Sequence, residues 1–170
     1  MRLVIFKGIC DDKWVSGDLI HEGEDLFIKN ASGLFKVEKE SVSEFTGMTD
    51  CTEWDELEPD EKAMFEADFD INKIAEEWDG IPIYTNDILI CDNIFDAELS
   101  FTGIVDFVDG CFGVTYNDGE DFISFSDLLE YKFVLAGNLF EAEEWQKKDQ
   151  MGFHLVFLYH IITPTTASTA

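Results

Sequence analysis

Short apolar runs broken by clusters of Gly, Asn and Asp recur along most of this 170-residue chain. A chain punctuated this often favours hairpins over long helices, because such clusters supply the backbone angles of tight turns. Residues 3–6 form one short run. Cys10-Asp11-Asp12-Lys13 reads as a turn into a strand from Trp14 to Ile20. Glu22-Gly23-Glu24-Asp25 and Asn30-Ala31-Ser32-Gly33 read as turns around Leu26-Phe27-Ile28 and before Leu34 to Val37. Further along, Ile88 to Cys91, Phe101 to Phe107, Cys111 to Tyr116, Phe122 to Phe125 and Phe133 to Ala136 are strand candidates. Asp109-Gly110 suits a type I′ hairpin turn, which needs two consecutive positive φ angles. Strands at this spacing predict a mainly β fold, a small barrel or sandwich. An apolar fraction of 46% with 16 Phe and 4 Trp is enough to fill its core. No internal repeat is legible.

The stretch from Cys51 to Asp79 breaks the pattern, with twelve acidic residues, two lysines and no β-rich run. Pro59 suits a first helical turn, with Asp60 and Glu61 at the positive end of the dipole. Asp70 suits an N-cap, and Ile71, Ile74, Ala75 and Trp78 then share one helical stripe that Gly80 ends. The expectation is an inserted pair of short acidic helices, packed by one face on a β body. Glu141 to Lys148 is a further short helix candidate. Residues 153–162 are read as a last strand or helix, and residues 163–170 as a disordered tail after a single domain over 1–162.

Charge excludes more than it identifies. There are 37 Asp and Glu against 11 Lys and Arg, a net charge of −26. Such a chain repels phosphate backbones and anionic lipid, so direct nucleic-acid binding and polybasic membrane attachment are disfavoured. Partners with basic surfaces are favoured, although acidity alone also keeps proteins soluble. The N-terminal apolar run is too short for a signal peptide. Phe153 to Ile162 falls short of the ~20 residues that span a bilayer. Cys10, Cys51, Cys91 and Cys111 form no CxxC pair and read as free thiols in a reducing cytoplasm.

No catalytic or cofactor motif emerges. The acids are too many for carboxylate pairs to be informative, and most are expected to be solvated. Asp68-x-Asp70-x-Asn72 resembles the start of a calcium loop, but Lys73 stands where the sharp turn needs Gly and Asp79 where Glu is expected. His21, His154 and His160 lack nucleophile partners. Cys51 and Cys111 lack basic neighbours that would lower a thiol pKa. No cofactor or metal is expected.

Two blocks carry a family resemblance: Val42-Ser43-Glu44-Phe45-Thr46-Gly47-Met48-Thr49-Asp50 and Gly80-Ile81-Pro82-Ile83-Tyr84-Thr85-Asn86-Asp87-Ile88-Leu89. Together they resemble the hallmark of the YopX family of phage and prophage proteins. Trp14 to Ile20 is similar to that family's early strand, and Phe133 to Glu141 to its closing strand. Asn86 replaces the family's usual Gly, and the acidic stretch separates two blocks that compact members join directly. The resemblance implies a mostly β protein with an SH3-like barrel region, a phage source and a bacterial host cytoplasm. It transfers no catalytic residue. Thr46-Gly47 and Asn86-Asp87 read as tight turns, with Tyr84 and Ile88 as core.

The expectation for function is a non-catalytic accessory protein that binds a protein partner with a basic surface. In its sharpest form it is an acidic nucleic-acid mimic that inhibits a host or defence protein. The residues singled out are Glu53, Trp54, Asp55, Glu56, Glu58, Asp60, Glu61, Glu66 and Asp68. Aromatics ringed by carboxylates offer anchors as well as charge. Trp54, Phe65, Phe69 and Trp78 are those aromatics, and Trp78 is read as docking its helix on the body. The alternatives are a small-molecule or nucleotide binder and a homo-oligomeric assembly protein.

Overall fold

Paired positive-φ residues set the hairpins. Asp11 and Asp12 have φ of 50° and 62°, and Asp109 and Gly110 have 50° and 89°. Both pairs match the backbone a two-residue turn between twisted antiparallel strands requires. The computed structural model describes residues 5–66 and 78–142, without the side chains of 64–66. The expected second acidic helix, the calcium-like loop, the helix at 141–148, the 153–162 element, the terminal tail, His154 and His160 all lie wholly or mainly outside the described residues.

The described chain is mainly β, in two antiparallel sheets. The first comprises β1 (Phe6–Cys10), β2 (Lys13–Glu22), β3 (Asp25–Asn30), β4 (Gly33–Val37), β5 (Ser43–Thr49) and β6 (Pro82–Tyr84). Its order is β4-β3-β2-β1-β5-β6. The second comprises β7 (Asp87–Asn93), β8 (Phe101–Val108), β9 (Cys111–Tyr116), β10 (Asp121–Ser124) and β11 (Tyr131–Asn138). Its order is β10-β9-β8-β7-β11. Helix α1 (Pro59–Glu66) lies between them in sequence, with Pro59 at its first position.

These two sheets contain the same unit twice, although the sequence shows no repeat. In each unit four strands form a meander, a short 3₁₀ turn follows (Lys39–Ser41 or Phe125–Asp127), and a fifth strand pairs back on the first. The agreement extends to register. The first half of β2 pairs with β1 and its second half with β3, and the change falls at Gly17 and Asp18. In β8 the change falls at Gly103 and Ile104. A Cβ on Gly17 would lie 2.3 Å from the Lys29 carbonyl oxygen, and one on Gly103 would lie 2.5 Å from that of Thr115. Lys29 and Thr115 are the partners of Asp18 and Ile104 respectively, so both glycines serve one geometric role. The matched core positions are also both buried: Ile28 with Val114, and Val37 with Phe125. The sequence hides the repeat because only alternation and two glycines are retained.

Each unit closes around its own apolar interior. In the first, Val37 packs on Gly8 and the Glu38 amide donates to the Ile9 carbonyl at 2.9 Å, bringing β4 back to β1. In the second, Ile83, Leu89, Cys91, Val105, Val114, Phe125, Leu128 and Phe133 form one buried cluster. Phe125 and Phe133 meet edge to face at 5.4 Å.

A buried carboxylate joins the units. Asp87 is fully buried. Its Oδ1 accepts from Lys7 Nζ at 2.7 Å and Asn138 Nδ2 at 2.9 Å, and its Oδ2 accepts from the Tyr84 amide at 2.8 Å. Lys7 Nζ also sits 4.8 Å from the Trp14 ring centroid and 4.6 Å from that of Tyr84. The Trp14 indole donates to Glu141 Oε1 at 2.6 Å. This cluster ties β1 and β2 to β7 and to the chain after β11. Asn86 takes the left-handed conformation with φ of 67°, as its block requires. Two readings from the resemblance and one from the charge are corrected. Thr46-Gly47 is a bulge inside β5, where the register to β6 slips, and not a turn. Tyr84 is half-buried, packed on Phe45 at 5.5 Å. Asp87 is an inter-unit anchor, which the expectation of solvated acids did not foresee.

Removing one member of a buried ion pair leaves the other uncompensated, which costs about 3–5 kcal/mol. Lys7→Met is expected to lower unfolding free energy by about 3 kcal/mol, with Lys7→Met/Asp87→Asn recovering part of the loss, as read by urea denaturation. Gly17→Ala and Gly103→Ala are each expected to cost at least about 2 kcal/mol in the same assay, since both push a methyl into a neighbouring backbone.

Candidate functional site: an acidic tryptophan cleft

Between β5 and β6 the chain leaves the sheets, and its first residues are fixed by Asp50. This side chain is buried. Its Oδ1 accepts from the Thr52 amide at 3.0 Å and the Ile81 amide at 2.8 Å. Its Oδ2 accepts from Thr52 Oγ1 at 2.7 Å and the Leu135 amide at 3.1 Å. The Asp50 amide donates to the Ile81 carbonyl, and the Cys51 amide to the Phe133 carbonyl, both at 2.9 Å. Residues 50 and 51 thereby satisfy part of the otherwise open edge of β11. Gly80 is obligatory beside them: its φ is 105°, and a Cβ there would lie 2.0 Å from the Asp50 carbonyl oxygen.

On this base two short helical pieces are capped by their own acids. The Glu53 amide donates to Glu56 Oε2 at 3.0 Å across the 3₁₀ turn Trp54–Glu56. The Glu58 amide donates to Glu61 Oε2 at 2.9 Å at the start of α1. Leu57 is buried between them. The capping explains how an acid-rich segment holds one backbone path without a strand partner.

The outcome is an open cleft of about 400 Å³ lined by Asp50, Cys51, Thr52, Glu53, Trp54, Asp55, Trp78, Asp79 and Gly80. Trp54 and Trp78 meet edge to face at 5.1 Å, and the Trp78 indole donates to the Thr52 carbonyl at 2.8 Å. Lys62 of α1 lies 5.9 Å from the Trp54 ring centroid. Glu53, Asp55 and Asp79 are exposed around the two rings. Half-buried indoles under exposed carboxylates attract cations twice, through the ring quadrupole and through charge.

Of the residues the sequence singled out, Glu53, Trp54 and Asp55 line this cleft. Glu56 and Glu61 are caps, Glu58 is exposed and gives its amide to Glu61, and Asp60 is exposed on the first turn of α1. The Glu66 side chain and Asp68, like Phe69, fall outside the described residues. Sequence reasoning missed Asp50, Thr52 and Asp79. It favoured a docking role for Trp78 over an anchor role, and the Trp78 ring is a wall of the cleft. The missed signal was the position of Asp50 and Gly80 at the two mouths of the acidic stretch, where the chain must re-enter one place in the fold.

All four cysteines are free. Burial and the nearby Asp92 push the Cys91 thiol up to about 12, and burial with Asp11 beside it raises Cys10. Neither is an activated nucleophile. Among the described residues, no three His, Cys, Asp or Glu side chains are arranged to hold a metal ion, and no helix is long and apolar enough to cross a membrane.

No protein-family model, curated protein or solved structure matches this chain.

Because its pKa is raised, Cys91 stays a neutral thiol at pH 8. A thiol reagent at that pH is expected to label exposed Cys51 and Cys111 in the folded protein and Cys91 only after denaturant is added. The sign for stability follows: the buried thiol's contribution is complete below the unfolded value near 9 and is lost as pH rises towards about 12. Alkaline denaturation of Cys91→Ala should lack that component.

Proposed function

We propose that this chain is a non-catalytic accessory protein that captures a basic protein partner in the tryptophan cleft. A Lys or Arg side chain of the partner lies against Trp54 and Trp78 while Glu53, Asp55 and Asp79 neutralise its charge. The observation that carries this reading is the pairing of two indoles under exposed carboxylates, with the chain's own Lys62 already poised over Trp54. Each desolvated cation–ring contact contributes about 0.5–2 kcal/mol. The net charge of −26 adds long-range attraction that speeds encounter. In its sharpest form the protein occupies a surface that would otherwise hold nucleic acid.

We read the two five-stranded units as SH3-like barrels and the chain as YopX-like, of phage origin and acting in a host cytoplasm. Three features support the fold reading: the long second strand shared between two partners, the 3₁₀ turn, and the fifth strand returning to the first. One feature supports the family reading. Trp14, Tyr84, Asn86, Asp87, Asn138 and Glu141 come from blocks far apart in sequence yet gather at one junction.

A lysine-rich peptide titrated into the protein is expected to perturb tryptophan fluorescence, with affinity falling as salt rises. Trp54→Ala is expected to weaken binding about fivefold or more, in line with loss of one ring contact of about 1 kcal/mol. Glu53→Gln/Asp55→Asn/Asp79→Asn is expected to remove most of the salt dependence. Equal binding by Trp54→Ala and the parent protein would rule the cleft out.

A further inference from the structure

One end of the second unit carries large apolar side chains that its own core does not use. Ile94, Phe95, Leu99 and Leu129 are 52%, 77%, 56% and 85% exposed. They lie where the pairing of β7 with β11 ends, at Asn93 and Tyr131. The Ile94 amide donates to the Glu130 carbonyl at 2.9 Å, and the Tyr131 hydroxyl donates to the Leu99 carbonyl at 3.3 Å.

The frame itself does not require them. The first unit makes the corresponding junction through Asp11 and Asp12 and through residues 38–42, and no large hydrophobic side chain is exposed there. The same connectivity is thus built once without an apolar tip and once with one, which places the reason for the tip outside the frame. Nor is the loop slack. Asn93 Oδ1 accepts from the amides of Phe95 at 3.0 Å and Asp96 at 2.9 Å. Asp96 Oδ1 accepts from the Glu98 amide at 3.0 Å, and Ser100 Oγ accepts from the Asn93 amide, also at 3.0 Å. A loop so held loses little freedom when its side chains are covered.

Charge selects what covers it. In the segments 92–99 and 129–132 the charged residues are Asp92, Asp96, Glu98, Glu130 and Lys132, all exposed. Lys132 stands opposite Asp92 in the strand register. Asp96, Glu98 and Glu130 then remain beside the apolar side chains with no base in these segments to offset them. We propose that the tip docks a basic amphipathic segment of a protein partner, one that presents large apolar side chains flanked by Lys or Arg. Apolar contact at the centre supplies affinity, and the carboxylates at the rim select the sign of the flanking charge. A second copy of this chain would bring a net charge of −26 to the tip and is repelled. An anionic membrane surface is repelled for the same reason. The tip is separate from the tryptophan cleft, and the inference does not rest on that site.

Calorimetric titration with two synthetic Leu/Lys peptides of one composition tests it. In the first, Leu recurs at every third or fourth position, so that a helix gathers it on one face; in the second the same residues are dispersed. The parent protein is expected to bind the first at least about tenfold more tightly than the second. Phe95→Ser/Leu129→Ser should lose that preference while keeping the parent's urea midpoint, since both side chains lie mostly in water. Asp96→Asn/Glu98→Gln/Glu130→Gln should weaken binding of the first peptide at low salt and change it little at high salt. Trp54→Ala should keep the preference. Equal binding of the two peptides by the parent, a preference unchanged in the tip variant, or full affinity in the carboxylate variant would overturn the proposal. A preference lost in Trp54→Ala would assign the peptide to the cleft and overturn it too. So would sedimentation showing a parent dimer that the tip variant does not form, which would assign the tip to a second copy.

Discussion

The Asp87 carboxylate is the interaction on which the rest of the structure depends. It opens the second unit, yet its partners are a lysine on the first strand of the first unit, an asparagine closing the last strand, and a backbone amide of β6. A charge taken out of water is tolerated only when paired and hydrogen-bonded on every side. Here the requirement fixes two sheets in one relation. Lys7 is held in turn by the rings of Trp14 and Tyr84, and Trp14 by Glu141. Hydrophobic contact alone would permit sliding between two apolar faces. A buried carboxylate with directional donors does not.

Asp50 does a related job at the edge. Its two oxygens accept four hydrogen bonds, from Thr52 twice and from Ile81 and Leu135 once each. The acidic stretch is thereby anchored where it leaves the sheets and where it returns. Among the described residues, the buried aspartates Asp50 and Asp87 thus perform architecture, while Glu53, Asp55 and Asp79 around Trp54 and Trp78 are exposed. That division is what lets a chain of such high charge keep an apolar interior and still carry charge on its surface.

The duplicated unit gives these roles a setting. The two units share connectivity, the glycine at which the second strand changes partners, and matched core positions. They differ at their loops. The first unit turns tightly through Asp11 and Asp12, whereas the second inserts residues 94–100 at the corresponding place and acquires the apolar tip. Specialisation by loop length on a repeated frame follows from where backbone freedom lies.

The mainly β fold was legible in the sequence, because alternation, Asp-Gly and Asn-Gly-like turns and β-rich runs act locally, within a few residues. So were Pro59 at the start of α1 and the placing of Glu53, Trp54 and Asp55 together. The duplication was not legible, since two equivalent strands need only equivalent alternation and not equal residues. Nor was the burial of Asp50 and Asp87. Nothing local marks one aspartate among many as desolvated; that depends on donors 30 to 85 residues away in the chain, such as Ile81, Lys7 and Leu135. By itself the sequence determined the strands, the turns and the concentration of charge. Only the tertiary structure decided which carboxylates hold the protein together and which face outward, because a charge's cost is set by what surrounds it in space.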